Sequence, residues 1–216
     1  MTESKYNIGE SIYALASRLW PINRSIMGEG VRETLRILKE LLPSLSIHEV
    51  PSGSQVFDWT IPDEWHVHEA WIEGSDGRRV VDFSKHNLHL VSYSVPVDAT
   101  LDLEELQAHL HSLPEQPEAI PYITSYYSSC WGFCLSHRDR QNLKPGKYRV
   151  CIDATLAPGS LSYGELVIPG ATTQEVFYRL MFATLQWLTM NYRGPVWPHT
   201  WLNGWRHCLI GVIHTA

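Results

Sequence analysis

Apolar positions recur at two different periods along this chain. Ile8, Ile12, Leu15 and Leu19 follow helical spacing, and Pro21 stops the run. Val31, Leu35, Leu38 and Leu42 repeat the pattern up to Pro43, so a second helix is expected. Between them, Asn23-Arg24-Ser25-Ile26-Met27-Gly28-Glu29-Gly30 reads as a turn. After Pro43 the period falls to two. Leu45 to Val50 predicts a strand, and Pro51 to Ser54 a turn. Val67 to Ile72 and Arg79 to Phe83 predict a hairpin across Gly74-Ser75-Asp76-Gly77, with Leu88 to Ser94 as a further strand. Leu103, Leu106 and Leu110 suggest a short helix with Asp102 near its N-terminus. Pro114, Pro117 and Pro121 break the next stretch. Tyr122 to Leu135 is strand-like and very aromatic, and Tyr148, Val150 and Ile152 alternate as another strand. Leu166 and Ile168 alternate with Glu165 and Val167 until Pro169-Gly170 ends that strand.

The 216 residues suffice for one good core, or for a domain with a smaller one set into it. The formal net charge is −6, and no basic stripe suggests nucleic acid. No apolar run is long enough to span a membrane, and the start, MTESKYNIGES, has no apolar signal region. Cys130, Cys134, Cys151 and Cys208 lack zinc-finger spacing and read as reduced thiols, so a cytoplasmic location is expected. The charge pattern breaks near the end. After Glu175 there is no Asp, Glu or Lys, so all 23 acidic residues lie at or before it, while four of nine Trp fall beyond Phe177.

Candidate chemistry is sparse. Arg24 and Ser25 sit on a turn between rigid elements, a usual place for binding groups, although such a turn also serves as plain scaffold. His66 and His68 would share a face of a strand and could hold a metal, but no third ligand is evident. His109 and His111 would lie on different faces of a helix. His86 and His89 read as polar loop residues. Tyr126, Tyr127, Trp131 and Phe133 could wall a ligand pocket or fill the core of a small β domain. There is no G-x-S-x-G, P-loop or H-E-x-x-H.

Several stretches resemble one family: LWPINRSIMGEGVRETLRILKE, EVPSGSQVFDWTIPDEW, DFSKHNLHLVSYSVPV, HLHSLPEQPEAIPYITSYY, WGFCLS and YGELVIPG. Together they resemble the bacterial aminopeptidase-like proteins associated with polysaccharide-biosynthesis genes, over about residues 5–177. The resemblance implies an α/β fold: the N-terminal part of a zinc-aminopeptidase-like domain with a nested small β-rich domain. The expected organisation is 1–53 for the start of the peptidase-like domain, 54–146 for the nested domain, 147–177 for its resumption, and 178–216 for an aberrant tail. It further implies a metallohydrolase in which two zinc ions activate water beside a general base. The substrate would be peptide-like or a small saccharide-linked compound. Arg24, Ser25 and Gly28 fall where related aminopeptidases carry an Arg and Gly turn near the substrate end, and Tyr126, Tyr127 and Trp131 are cleft candidates by the same resemblance. The alternative is a non-catalytic saccharide- or peptide-binding module.

The family continues after GELVIPG with a segment like L-S-T-H-x-C-H-P-S-x-A-N-D-N-L-S-G, whose histidine and aspartate resemble zinc ligands. Here Tyr178 to Trp187 stands instead, with no usual ligand, although its apolar residues suggest a helix from Gln174 to about Tyr192. Back-translation from the third base of the Tyr178 codon permits S-P-H-V-C-H-P-S-M-A-N-D-E-L-S. Met181-Phe182 forces the Val, Met190-Asn191 forces the Glu, and farther on Trp197-Pro198 forces an Ala. One lost base near codons 177 and 178 would place the tail out of frame. The chain as written is therefore expected to hold no catalytic residue, metal or cofactor, and to be inactive.

Overall fold

The computed structural model describes residues 8–125, 128–169, 176–179 and 212–215. Helix α1 (Ile8–Leu19) and helix α2 (Glu29–Leu41) form where the helical spacing placed them. Strand β1 (Ser46–Pro51) follows, then a small hairpin of β2 (Gln55–Val56) and β3 (Trp59–Thr60). Next come β4 (Glu64–Gly74) and β5 (Arg79–Asp82), the expected hairpin. Gly77 holds φ +72° at its turn, a conformation glycine adopts without Cβ strain.

The expected strand at Leu88 to Ser94 does not form. Asn87–His89 is a single 3-10 turn, and Tyr93 takes φ +66°. The backbone between them bonds irregularly instead, Val91 N to Gly132 O at 3.0 Å and Ser92 N to Ile123 O at 3.0 Å. Three contacts hold Tyr93 and its neighbours there. Tyr93 stacks on Trp65 at 5.6 Å, its hydroxyl reaches Asp63 O at 3.3 Å, and Trp65 Nε1 donates to Ser94 O at 3.0 Å.

Strand β6 (Val97–Asp102) leads into α3 (Leu103–Gln107), where Glu105 Oε2 accepts from Asp102 N at 3.1 Å. The helix stops there, and Leu110 lies in β7 (Leu110–His111), which pairs in parallel with β8 (Phe133–Cys134). Among the described residues of the aromatic stretch from Tyr122 to Leu135, only β8 is a strand, with one isolated bridge at Thr124. Helix α4 (His137–Gln141) starts at Ser136, whose Oγ accepts from Asp139 N at 3.0 Å. Strands β9 (Lys147–Ala157), β10 (Ser160–Ile168), β11 (Val176–Arg179) and β12 (Val212–Thr215) complete the order. Strand β11 replaces the start of the helix expected from Gln174; the rest of that helix lies outside the described residues.

The chain divides into two compact units, Pro51–Ser160 and the flanking Met1–Val50 with Leu161–Ala216. In the first, a four-stranded antiparallel sheet runs in the order β5-β4-β9-β6. Residues 147–157, expected in a resuming outer domain, pair along both β4 and β6 and so complete this sheet. The register places Ala70, Ile72, Val81, Val150 and Ile152 on one face, and all five are buried. The opposite face carries Trp71, buried beneath the guanidinium of Arg79 at 4.7 Å, with that of Arg149 at 5.4 Å. Their charges meet Asp82 at 3.3 Å and Asp98 at 3.6 Å.

In the flanking unit, a mixed sheet has the order β1-β10-β12-β11, with β10 parallel and β11 antiparallel to β12. Helix α2 buries Val31, Thr34, Leu35 and Ile37. Strand β10 passes close to these elements because Gly164 has no side chain: a Cβ there would stand 3.1 Å from both Leu35 and Leu45.

Candidate functional site

The turn between α1 and α2 is built around Arg24. Its side chain is buried, and Nη1 donates to Leu19 O at 2.7 Å, one of the terminal carbonyls that α1 leaves without an intrahelical partner. Thr34 Oγ1 lies 3.5 Å from the same nitrogen and itself donates to Gly30 O at 2.8 Å. Burial lowers the Arg24 pKa to about 10, which leaves the guanidinium charged at neutral pH. Ser25 Oγ donates to Met27 O at 2.6 Å and lies 3.4 Å from Met27 N, closing a local turn. These bonds go to backbone groups, and none links Ser25 to a histidine or carboxylate. Gly28 takes φ +106°, which disfavours any side chain. Gly30 has a stricter reason to be glycine: a Cβ would fall 1.8 Å from Asn23 O. Arg24, Ser25 and Gly28 are thus brought together as the joint that sets the entry of α2.

Of the aromatic candidates, Tyr126 and Tyr127 lie outside the described residues. Trp131 is half-buried and stacks face to face on His109, with ring centroids 3.6 Å apart and planes 9° apart. His109 Nδ1 also lies 3.2 Å from Trp131 O. Strand β7 corrects the expectation for the histidines. Because α3 ends at Gln107, His109 lies in the turn that follows it and His111 in β7, one on each side of buried Leu110 in sequence. Burial holds His111 below the ordinary imidazole value, and the positive fields of Arg140 and His109 act in the same direction. Ser112, just beyond β7, meets His137 Nδ1 at 3.0 Å. This group around Ser112 was missed from the sequence, although the Ser136-x-x-Asp139 helix start was a usable signal for α4.

The other candidate histidines fall into two pairs. His66 and His68 are exposed, with ring centroids 4.6 Å apart across a β-bulge. His86 and His89 are 5.7 Å apart, and each has one ring nitrogen engaged: His86 Nδ1 accepts from Leu88 N at 3.2 Å, and His89 Nδ1 donates to Cys134 O at 2.8 Å. Among the described residues no three His, Cys, Asp or Glu side chains converge as metal ligands. They therefore do not fit the co-catalytic zinc pair that the family resemblance implies. Cys130, Cys134 and Cys151 are free thiols, and burial pushes that of Cys134 up to about 12, so it stays protonated and unreactive. Among the described residues no helix is long and apolar enough to cross a membrane.

Residues 64–155, from the start of β4 almost to the end of β9, match the family model described as a domain of unknown function, DUF2172. The paired strands β4, β5, β6 and β9, the Trp131–His109 stack and the Ser112 group all lie within or between the elements of that match. The chain is 48% identical over 168 residues, 78% of its length, to a Clostridium acetobutylicum protein provisionally named as a polysaccharide biosynthesis protein with an aminopeptidase-like domain. It spans 38% of that relative's length. It also matches the crystal structure of a provisionally named peptidase from Clostridium acetobutylicum, at TM-score 0.73 and 37% identity, covering 97% of this chain and 50% of the other. An aminopeptidase from Aneurinibacillus sp. strain AM-1 matches at TM-score 0.34 and 9% identity, over 78% of this chain and 53% of that one. The matched segment thus sits in a chain of mixed helices and strands that is similar to these Clostridium acetobutylicum proteins.

Proposed function

We propose that this chain derives from an aminopeptidase-like metallohydrolase, and that as written it is inactive because its metal-ligand segment is replaced beyond Phe177. The observation that carries the reading is the stretch after Glu175, which has no Asp, Glu or Lys and whose shifted reading permits a His-x-Cys-His-Pro and Asn-Asp run. A zinc hydrolase needs His and carboxylate ligands, and the printed tail offers no carboxylate at all. In the parent reading, metal-bound water would attack a scissile carbonyl of a peptide-like or saccharide-linked substrate.

Sequencing the gene across codons 170 to 220, followed by expression of both reading frames, tests this. The printed chain is expected to bind no stoichiometric zinc and to show no aminopeptidase activity, whereas the frame-restored chain takes up zinc. Tight zinc binding with peptidase activity in the printed chain would overturn the reading.

A second reading is favoured by the Trp131–His109 stack: the Pro51–Ser160 unit is a non-catalytic saccharide- or peptide-binding module. Metal-independent binding of a glycan or peptide by the printed chain supports it, and binding that requires metal counts against it.

A further inference from the structure

We propose that His111, His137 and Arg140, beside the Trp131–His109 stack, form a binding site for a small ligand bearing a carboxylate or a phosphate. The inference deepens the module reading above, and it does not depend on the hydrolase reading.

Arg140 is half-buried, and among the described residues its hydrogen bonds go to neutral acceptors: Nε to Gln107 Oε1 at 2.7 Å, Nη2 to Gln107 O at 3.0 Å, and Nη1 to Ser112 Oγ at 3.5 Å. Ser112 Oγ is shared with His137 Nδ1 at 3.0 Å, so the guanidinium and an imidazole converge on one hydroxyl. His137 and Arg140 stand three apart on α4 and so occupy one face of it. From β7, His111 lies within the field of both Arg140 and His109. Four groups that are cationic, or become so on protonation, therefore gather at one place.

Of the acidic side chains in the adjoining segments, Glu105 meets Asp102 N, Asp139 meets Ser136 Oγ, and Glu118 pairs with Arg138. Among the described residues none forms an ion pair with Arg140, His109, His111 or His137. Clustering like charges without a counter-charge costs stability, and an incoming anion removes that cost. Packing beside the cluster is close at Gly132. A Cβ at Gly132 would stand 3.0 Å from His111 Nε2 and 2.9 Å from His109 O, so a side chain there would displace the imidazole. Trp131, fixed by its stack on His109, offers a flat surface beside the charges, which suits a ring carrying the acidic group.

The test is a titration of the full printed chain, at constant ionic strength, with inorganic phosphate, with glucuronate and with neutral glucose, read by the imidazole C–H NMR signals. The expected result is a saturable shift of the His111 and His137 signals by phosphate, by glucuronate or by both, with His66 and His68 unmoved. Phosphate alone identifies a phosphate ester as the ligand class, glucuronate alone a carboxylate, and both a site that reads the anion only. Arg140→Gln should weaken the response at least about tenfold. Arg140→Lys keeps the charge and should retain part of it, and the dispersion of each spectrum reports whether the variant folds. Three results overturn the proposal: no saturable shift by either anion, an undiminished response in a folded Arg140→Gln chain, or a response to glucose equal to that of the anions. The last would leave a neutral stacking site and the module reading intact.

Discussion

Strand β9 of the Pro51–Ser160 unit and helix α1 of the flanking unit both carry a clean apolar pattern, with opposite outcomes. Tyr148, Val150, Ile152 and Ala154 of β9 are buried, with Val150 at 0% and Ile152 at 2% exposure, and on that face only the terminal Leu156 is exposed. Along α1 only Leu19 is buried, while Ile8 remains 71% and Ile12 49% exposed. The difference lies in the partners. Strand β9 is paired on both sides, by β4 and β6, and its inward face meets a core that includes Leu106, Leu110 and Phe133. Helix α1 has the period of a buried helix without the burial. Periodicity states which face could be buried, and burial itself requires a second surface.

The comparison breaks most sharply at Phe133. Its side chain is fully buried, so Phe133→Ala should cost about 3–5 kcal/mol in chemical denaturation. Ile12→Ala on exposed α1 should cost well under about 1 kcal/mol. Equal losses at the two positions would mean that α1 is covered in solution. Next in size is Gly30→Ala, where the new Cβ would meet Asn23 O at 1.8 Å. It should destabilise the flanking unit by about 1–3 kcal/mol, and hydrogen exchange should show the loss in α2 with β9 unchanged. A smaller effect, about 1 kcal/mol, is expected for Ser136→Ala, which removes the cap of α4. Because α4 carries His137 and Arg140, that variant should also weaken the anion response, while Ser136→Asp restores both.

The smallest effect concerns acid. Burial alone would raise the Asp82 pKa, but hydrogen bonds from Ser84 and Arg79 outweigh it and hold the carboxyl below its ordinary value. A carboxylate depressed in the folded state contributes stability above its unfolded pKa, near about 4, and loses it as pH falls through the folded value. Glu29 on α2 is depressed too, first by its hydrogen bond from Arg36 and then by that from Arg32. Its carboxylate is half exposed, so salt should screen its contribution, whereas that of nearly buried Asp82 should persist. Denaturation below about pH 4 with and without salt, in Asp82→Asn and Glu29→Gln chains, separates the two. Equal salt sensitivity would remove this distinction between the units.

Much of the local structure was legible in the residues themselves. Alternation placed the β4–β5 hairpin and β9, and Asn23 to Gly30 announced its turn through its glycines. The failures share one cause. Leu88 to Ser94 has the composition of a strand, yet Tyr93 is drawn to φ +66° among contacts with Trp65 and Asp63, remote in sequence. Leu110 completed a helical period with Leu103 and Leu106, yet it pairs with Phe133 in a parallel ladder. That single reassignment takes His109 and His111 off the helix expected for them and places them in a turn and a strand.

By itself the sequence determined the helical and alternating periods, the family resemblance and the abrupt loss of acidic residues after Glu175. These are properties of neighbouring residues, set by backbone sterics, side-chain spacing and composition. Tertiary structure alone decided which apolar faces are covered, that β9 belongs to the sheet of the inner unit, and that Arg140 reaches Gln107 and Ser112 across about thirty residues. Such contacts depend on surfaces distant in the chain, whose complementarity no local period records.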